Sequence, residues 1–134
     1  MSLLLLDTTF LVDAERNADL LDELIDDDDD IAIAAITVAE LAVGVELASP
    51  RQRPRRQAFV DEIVASIPVL PYDEAVAFKH AHLLVAVRLA GRPRGAHDLI
   101  IAATAAASGR TVLSADRHAF DDLPGVVSID HRSA

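Results

Sequence analysis

An α/β fold built on a parallel sheet, with helices on both of its faces, is what this sequence predicts, and three observations carry it. Short apolar runs such as LLLL at residues 3–6 are too uniform to be one-faced strands and suit strands buried on both sides. Each run is followed by a stretch in which apolar residues keep helical spacing. Strands regularly separated by helices give parallel pairing. No linker, composition break or internal repeat divides the 134 residues, so a single domain spans 1–134. With 51% hydrophobic but only 4% aromatic residues, its core is aliphatic and alanine-rich.

The first strand, residues 3–6, stops at Asp7. Residues 10–15 read as a short helix, and Asn17 is placed to cap a second through Ile25, whose Leu20, Leu21, Leu24 and Ile25 share one face. Residues 31–36 form the second buried strand. Thr37-Val-Ala-Glu40 has the S/T-x-x-E form of a capping box and opens a helix to about Leu47. Pro50 and Pro54 mark a loop, residues 57–66 return to helix, and residues 68–70 make a third strand broken by Pro71. Asp73 caps a long helix to Ala90, with Gly91 as its stop. After a loop at 92–96, an alanine-rich helix covers 98–108 and ends at Gly109. A fourth strand at 111–114, a helical turn at 116–120 and a fifth strand at 126–129 complete the chain.

Without cysteine there are no disulfides and no thiolate metal sites, which leaves hard-cation sites open. The apolar run at the N-terminus is too short for a signal-peptide core and no stretch approaches a membrane span, so no membrane association is expected and the cytoplasm is the expected location. A formal net charge of −10 excludes a protein that grips nucleic acid by bulk electrostatics. The charge is uneven, however. Residues 26–30 are all aspartate, while Arg51, Arg53, Arg55 and Arg56 form one basic group and Arg88, Arg92 and Arg94 another. Neither basic group has aromatics interleaved for base stacking.

A parallel sheet places every strand C-terminus and every returning helix N-terminus on one edge. Asp7 ends the first strand, Glu40 follows the second, Asp98 opens the helix that feeds the fourth, and Asp116 follows the fourth. Each has a local role available as a cap or first-turn acid, worth about 0.3–2 kcal/mol. Four on one edge repel one another, and a hard cation, magnesium or manganese, relieves that repulsion. Such an ion also bridges to a phosphate and lowers the pKa of a water, so an acidic protein can act on nucleic acid.

Taken together, LLLLDTT at residues 3–9, TVAELAVG at 37–44, HDLIIAATA at 97–105 and LSADRHAF at 113–120 resemble PIN-domain ribonucleases. More narrowly they resemble the VapC toxins of toxin–antitoxin pairs. No one of these strings is specific, but four in this order cover essentially the whole chain. The resemblance implies a three-layer α/β/α sandwich about a parallel sheet of about five strands, Mg2+ or Mn2+ in an acidic pocket, endoribonuclease activity, a homodimer, and inhibition by a small antitoxin. Carried over by position, Asp7, Glu40 and Asp98 match the family's core metal-binding acids and Asp116 its more variable fourth. Thr9 falls where a hydroxyl or amide orients the first aspartate, and Ser114 replaces a more usual threonine.

The expected chemistry is metal-assisted phosphodiester hydrolysis by one or two ions, with RNA as the substrate and no histidine required as general base. Arg92, Arg94, Arg117 and the group at 51–56 are candidates to hold flanking RNA phosphates. His97, Asp121 and Asp122 lie near the site in sequence and are read first as structural or surface residues. Two rival classes are a PIN-like RNA-binding module without catalysis and a magnesium-dependent phospho-acceptor domain. The second fits poorly, because Glu40 and Asp98 open helices and no lysine stands on a late strand.

Overall fold

The computed structural model describes residues 1–116 and 118–131. In chain order the elements are β1 (Leu3–Leu6), α1 (Thr8–Arg16), α2 (Leu20–Leu24), β2 (Asp30–Ala34), α3 (Ala35–Leu47), α4 (Arg53–Ser66), β3 (Val69–Leu70), α5 (Glu74–Ala90), α6 (Ala96–Ser108), β4 (Thr111–Ser114) and β5 (Ser128–Asp130). The strands pair in the order β3-β2-β1-β4-β5, all parallel. The chain therefore builds outward from β1 to β3, then returns to lay β4 and β5 on the other side. Strand order reverses between β1 and β4, and the crevice beyond the carboxyl ends at such a reversal is where α/β sheets hold ligands.

Successive strand residues point to opposite faces, so β1 feeds two separate cores. Leu4 and Leu6 pack with Phe10 and Leu11 of α1, Leu41 and Val45 of α3, and Val60 and Ile63 of α4. Leu5 packs on the opposite face with Val76, Leu83 and Val87 of α5 and with Ile101, Ala102 and Ala105 of α6. The result is a three-layer sandwich. Leu5 and Leu6 are both completely buried, and each contributes about 1.5–3 kcal/mol through its burial.

Local signals set most helix ends. The Asp73 carboxylate accepts from the Val76 amide at 3.0 Å, and Gly91 closes α5 in the left-handed conformation with φ +65°. Helix α4 starts at Arg53, four residues before the expected start, because Pro54 is tolerated in a first helical turn. Asn17 does not cap α2. Its Oδ1 accepts from the Asp19 amide at 3.2 Å in a turn, and the helix is only five residues long.

The boundary between β2 and α3 differs from the sequence expectation in a way that bears on function. β2 ends at Ala34 rather than Ile36, and α3 begins at Ala35 with no side-chain cap. The capping box at Thr37 is therefore not formed: Thr37 is already inside the helix and fully buried, and Glu40 lies in its second turn. After β4, the described residues of 116–120 make a turn in place of the expected helical turn. β5 begins at Ser128, two residues later than expected, because its register is set by pairing with Val112, Leu113 and Ser114 of β4.

Candidate metal centre at the sheet edge

Asp7 occupies the tip of β1, its amide donating to the Leu113 carbonyl at 2.9 Å, so the β1–β4 pairing carries it to the edge. It precedes α1, yet its side chain makes no capping hydrogen bond to that helix. Its Oδ2 instead accepts from Thr9 Oγ1 at 2.7 Å and from Ser114 Oγ at 2.8 Å. Those hydroxyls are fixed in turn, since the Ala115 amide donates to Thr9 Oγ1 at 3.0 Å and the Asp116 amide to Ser114 Oγ at 2.9 Å. Asp7 is 2% exposed. Burial raises its pKa above the usual aspartate value despite the opposing hydrogen bonds of Thr9 and Ser114.

Glu40 comes from α3 and is held from α1: Thr8 Oγ1 donates to its Oε1 at 2.7 Å. The same hydroxyl lies 3.4 Å from Thr37 Oγ1. On the outer side, His97 Nδ1 is 3.4 Å from Glu40 Oε2. These contacts dispose of the capping role that the T-x-x-E string suggested. Thr8, which no local sequence pattern connects to Glu40, is its support, and Thr37 lies behind that hydroxyl.

Asp98 sits in the first turn of α6, half-buried, with its carboxyl pushed up to about 6. Burial is the first cause, followed by the negative charges of Asp7, Asp116 and Glu40. Gly95, the residue before that helix, leaves the room Asp98 occupies: a Cβ there would lie 3.0 Å from Asp98 Oδ2. Asp116 is exposed, and its Oδ1 accepts from the His118 and Ala119 amides at 3.1 and 3.2 Å. Four acids from four separate segments thus share one electrostatic field at one end of the sheet.

No three of the four bring their ligand oxygens within 4.8 Å of one another. Among the described residues, the group of three acids whose ligand oxygens all lie within 4.8 Å of one another is Asp26, Asp28 and Asp29, in the loop before β2. That loop group already has partners. Asp29 accepts from the Ser2 and Asp26 amides at 2.8 and 2.9 Å, which lowers its pKa, and Asp28 lies 3.4 Å from the N-terminal ammonium. The edge acids have the chemistry that a cation relieves: a buried carboxylate, mutual repulsion and an all-oxygen donor set suited to a hard ion that keeps waters or phosphate in its shell. The donor set fits a hard divalent cation.

The arginines divide by role. Arg53 donates to the Val45, Glu46 and Ala48 carbonyls at 3.2–3.4 Å and Arg56 to the Gly44 carbonyl at 3.3 Å, so both satisfy the C-terminal turn of α3. Arg92 pairs with Asp122 at 3.2 Å, and Arg94 donates to the Asp121 carbonyl at 2.7 Å, tying the loop before α6 to the turns after β4. Asp122 is thereby paired with that loop through its carboxylate, and Asp121 through its backbone carbonyl. Arg117 lies outside the described residues. A cavity of about 530 Å3 between α1, α2 and α4 contains none of the edge acids, whereas one of about 140 Å3 between α1, α3 and α4 reaches Thr8 and Glu40.

The family model for the PIN domain matches residues 4–126. The chain belongs to the PIN-domain family. It is 33% identical to the ribonuclease VapC5 of Mycobacterium tuberculosis over 93% of this chain and 90% of that one. It is also 28% identical to the tRNA(fMet)-specific endonuclease VapC of Salmonella typhimurium, over 72% of this chain and 71% of the relative. Among solved structures, VapBC-5 from M. tuberculosis, a member of the VapBC family of toxin–antitoxin systems, superposes with a TM-score of 0.80 at 30% identity, covering 96% of this PIN domain and 98% of that chain. FitAcB from Neisseria gonorrhoeae gives 0.73 at 31% identity, with 94% and 96% covered.

Proposed function

We propose that this PIN domain is a VapC-type, metal-dependent endoribonuclease, the toxin of a type II toxin–antitoxin pair, and that Asp7, Glu40, Asp98 and Asp116 hold its cation, Mg2+ or Mn2+. The observation that carries the reading is the meeting of those four carboxylates, from four distant segments, at the reversal point of the sheet in a chain 33% identical to a ribonuclease. VapBC-5, at 30% identity, belongs to a family of toxin–antitoxin systems, so the proposed partner is a small cognate antitoxin. A homodimer and a cytoplasmic location complete the proposal. Among the described residues no helix is long and apolar enough to cross a membrane.

A divalent ion bound there supplies charge neutralisation, a bridge to the scissile phosphate and a more acidic water for in-line attack. The chain's own residues prepare the site for it. Thr9 and Ser114 fix the orientation of the Asp7 carboxylate, so its position does not depend on the ion. Thr8 holds Oε1 of Glu40, and His97 stands at Oε2 on the solvent side. Asp98, whose carboxyl is pushed up to about 6, would be ionised near neutral pH and so able to hold the cation. No histidine base is required for this attack. Arg92, Arg94 and Arg117 are the proposed contacts to flanking phosphates.

Purified protein incubated with total RNA and manganese should produce discrete fragments, and a chelator should stop their formation. RNA left intact in the presence of manganese would reject the enzyme in favour of a catalytically silent RNA-binding module.

A further inference from the structure

Gly44 stands in the last turns of α3, four residues after Glu40 and on the same helix face. Glycine inside a helix is destabilising relative to alanine, so a reason for it is required. Backbone conformation is not the reason, since the left-handed glycines are Gly91, Gly109 and Gly125. Packing is not the reason either: a Cβ at Gly44 would meet no heavy atom within 4 Å. What the missing side chain leaves is space. Gly44 lines the cavity of about 140 Å3 that begins at Thr8 and Glu40.

The cavity has a wall of Leu41, Val45 and Val60 and carries Arg16 and Arg56 among its lining residues. Arg56 is anchored beside Gly44 by its bond to the Gly44 carbonyl, so a guanidinium is fixed at this spot. Drug-sized ligands occupy roughly 300–1,000 Å3, and a space this small takes one ring system and no more. An apolar wall next to guanidinium groups is the combination that receives a splayed-out base, with arginine stacking on its face or holding its phosphate. Glu15 also lines the cavity, and a carboxylate accepts from an exocyclic amino group.

We propose that this cavity is a nucleobase subsite beside the scissile phosphate, kept open by Gly44 and favouring bases that carry an amino group over uracil. The inference rests on the ribonuclease reading and extends it to the choice of cleavage position. Gly44→Leu puts a side chain into the cavity from a helix position where its Cβ meets no atom within 4 Å, while Gly44→Ala reports the effect of the backbone alone. Both variants should melt at or above the wild-type temperature and bind manganese with unchanged affinity. Gly44→Leu should raise KM for RNA about tenfold or more with kcat little changed, and sequencing of the fragments should show the base preference next to the cut flattened.

An unchanged KM and an unchanged base distribution in Gly44→Leu would overturn the subsite while leaving the ribonuclease reading intact. Absence of cleavage by the wild type would instead remove the reading on which the subsite rests. A second measurement needs neither cleavage nor a variant: cytidine monophosphate titrated into the wild-type protein should shift the amide resonances of Gly44 and Arg56 more than uridine monophosphate does. Equal shifts, or none, count against the subsite.

Discussion

Asp7→Asn is expected to abolish RNA cleavage while raising the melting temperature of the metal-free protein. The two effects have one cause. Asp7 is 2% exposed and its pKa is raised by burial, which means that its ionised form is held at a cost. Asparagine keeps an oxygen for the hydroxyls of Thr9 and Ser114 and removes both the desolvation penalty and the repulsion felt by Asp98. Losing an outer-shell partner of a metal typically costs 10–100-fold in affinity or activity, and losing a direct ligand goes beyond that, so cleavage should fall by at least about a hundredfold. Manganese at a hundredfold excess over its dissociation constant should stabilise the wild type by about 2.7 kcal/mol and the variant hardly at all. A variant that melts below the wild type without metal would show that the Asp7 charge is a structural asset.

The second large effect is a pair of opposite pH dependences governed by Asp98. Its carboxyl titrates at about 6 in the folded chain against an ordinary 3.8, so between these values the folded state binds more protons than the unfolded state. Stability without metal therefore falls as pH rises through this window, and the penalty is complete above about 6. Asp7 is shifted in the same direction for the same reason of burial. If Asp98 is a ligand as proposed, manganese affinity should run the other way, because the ion would compete with the proton for its carboxylate. Subtracting the melting profile of Asp98→Asn from that of the wild type isolates the group from the other carboxylates. A difference profile flat from pH 4 to 7 would contradict the burial of Asp98 beside Asp7, Asp116 and Glu40 that raises its pKa.

Where a residue's role is set by its near neighbours in sequence, the chain could be read directly. Asp73 and Gly91 bound α5 because a cap and a left-handed stop are local devices, and β4 ends at Ser114 as its pattern indicates. The shared edge of Asp7, Glu40, Asp98 and Asp116 also followed from sequence, since parallel pairing alone sends those positions to one side. Failures came where tertiary contacts decide. The run from Ile31 to Ile36 is apolar throughout, so periodicity could not show that the strand gives way to helix after Ala34. That two-residue shift turned an apparent capping box into a buried Thr37 and a Glu40 held by Thr8, 32 positions away. Arg53 and Arg56 looked like a basic patch because no local pattern shows carbonyls of α3 awaiting donors. Gly44 stood only as the last residue of a family-like string and Gly95 stood in a loop, because their meaning is the space beside other elements.

The central claim is that the sheet edge, and not the aspartate loop, holds the cation, and one calorimetric titration separates them. Manganese is titrated at pH 7.5 into the wild type, Asp98→Asn and Asp28→Asn. Asp28 belongs to the group of loop acids within 4.8 Å of one another, while Asp98 belongs to the wider edge group. The account predicts that Asp28→Asn binds as the wild type does and that Asp98→Asn loses the binding heat. Retention of the heat in Asp98→Asn together with its loss in Asp28→Asn would place the ion in the loop and contradict the account.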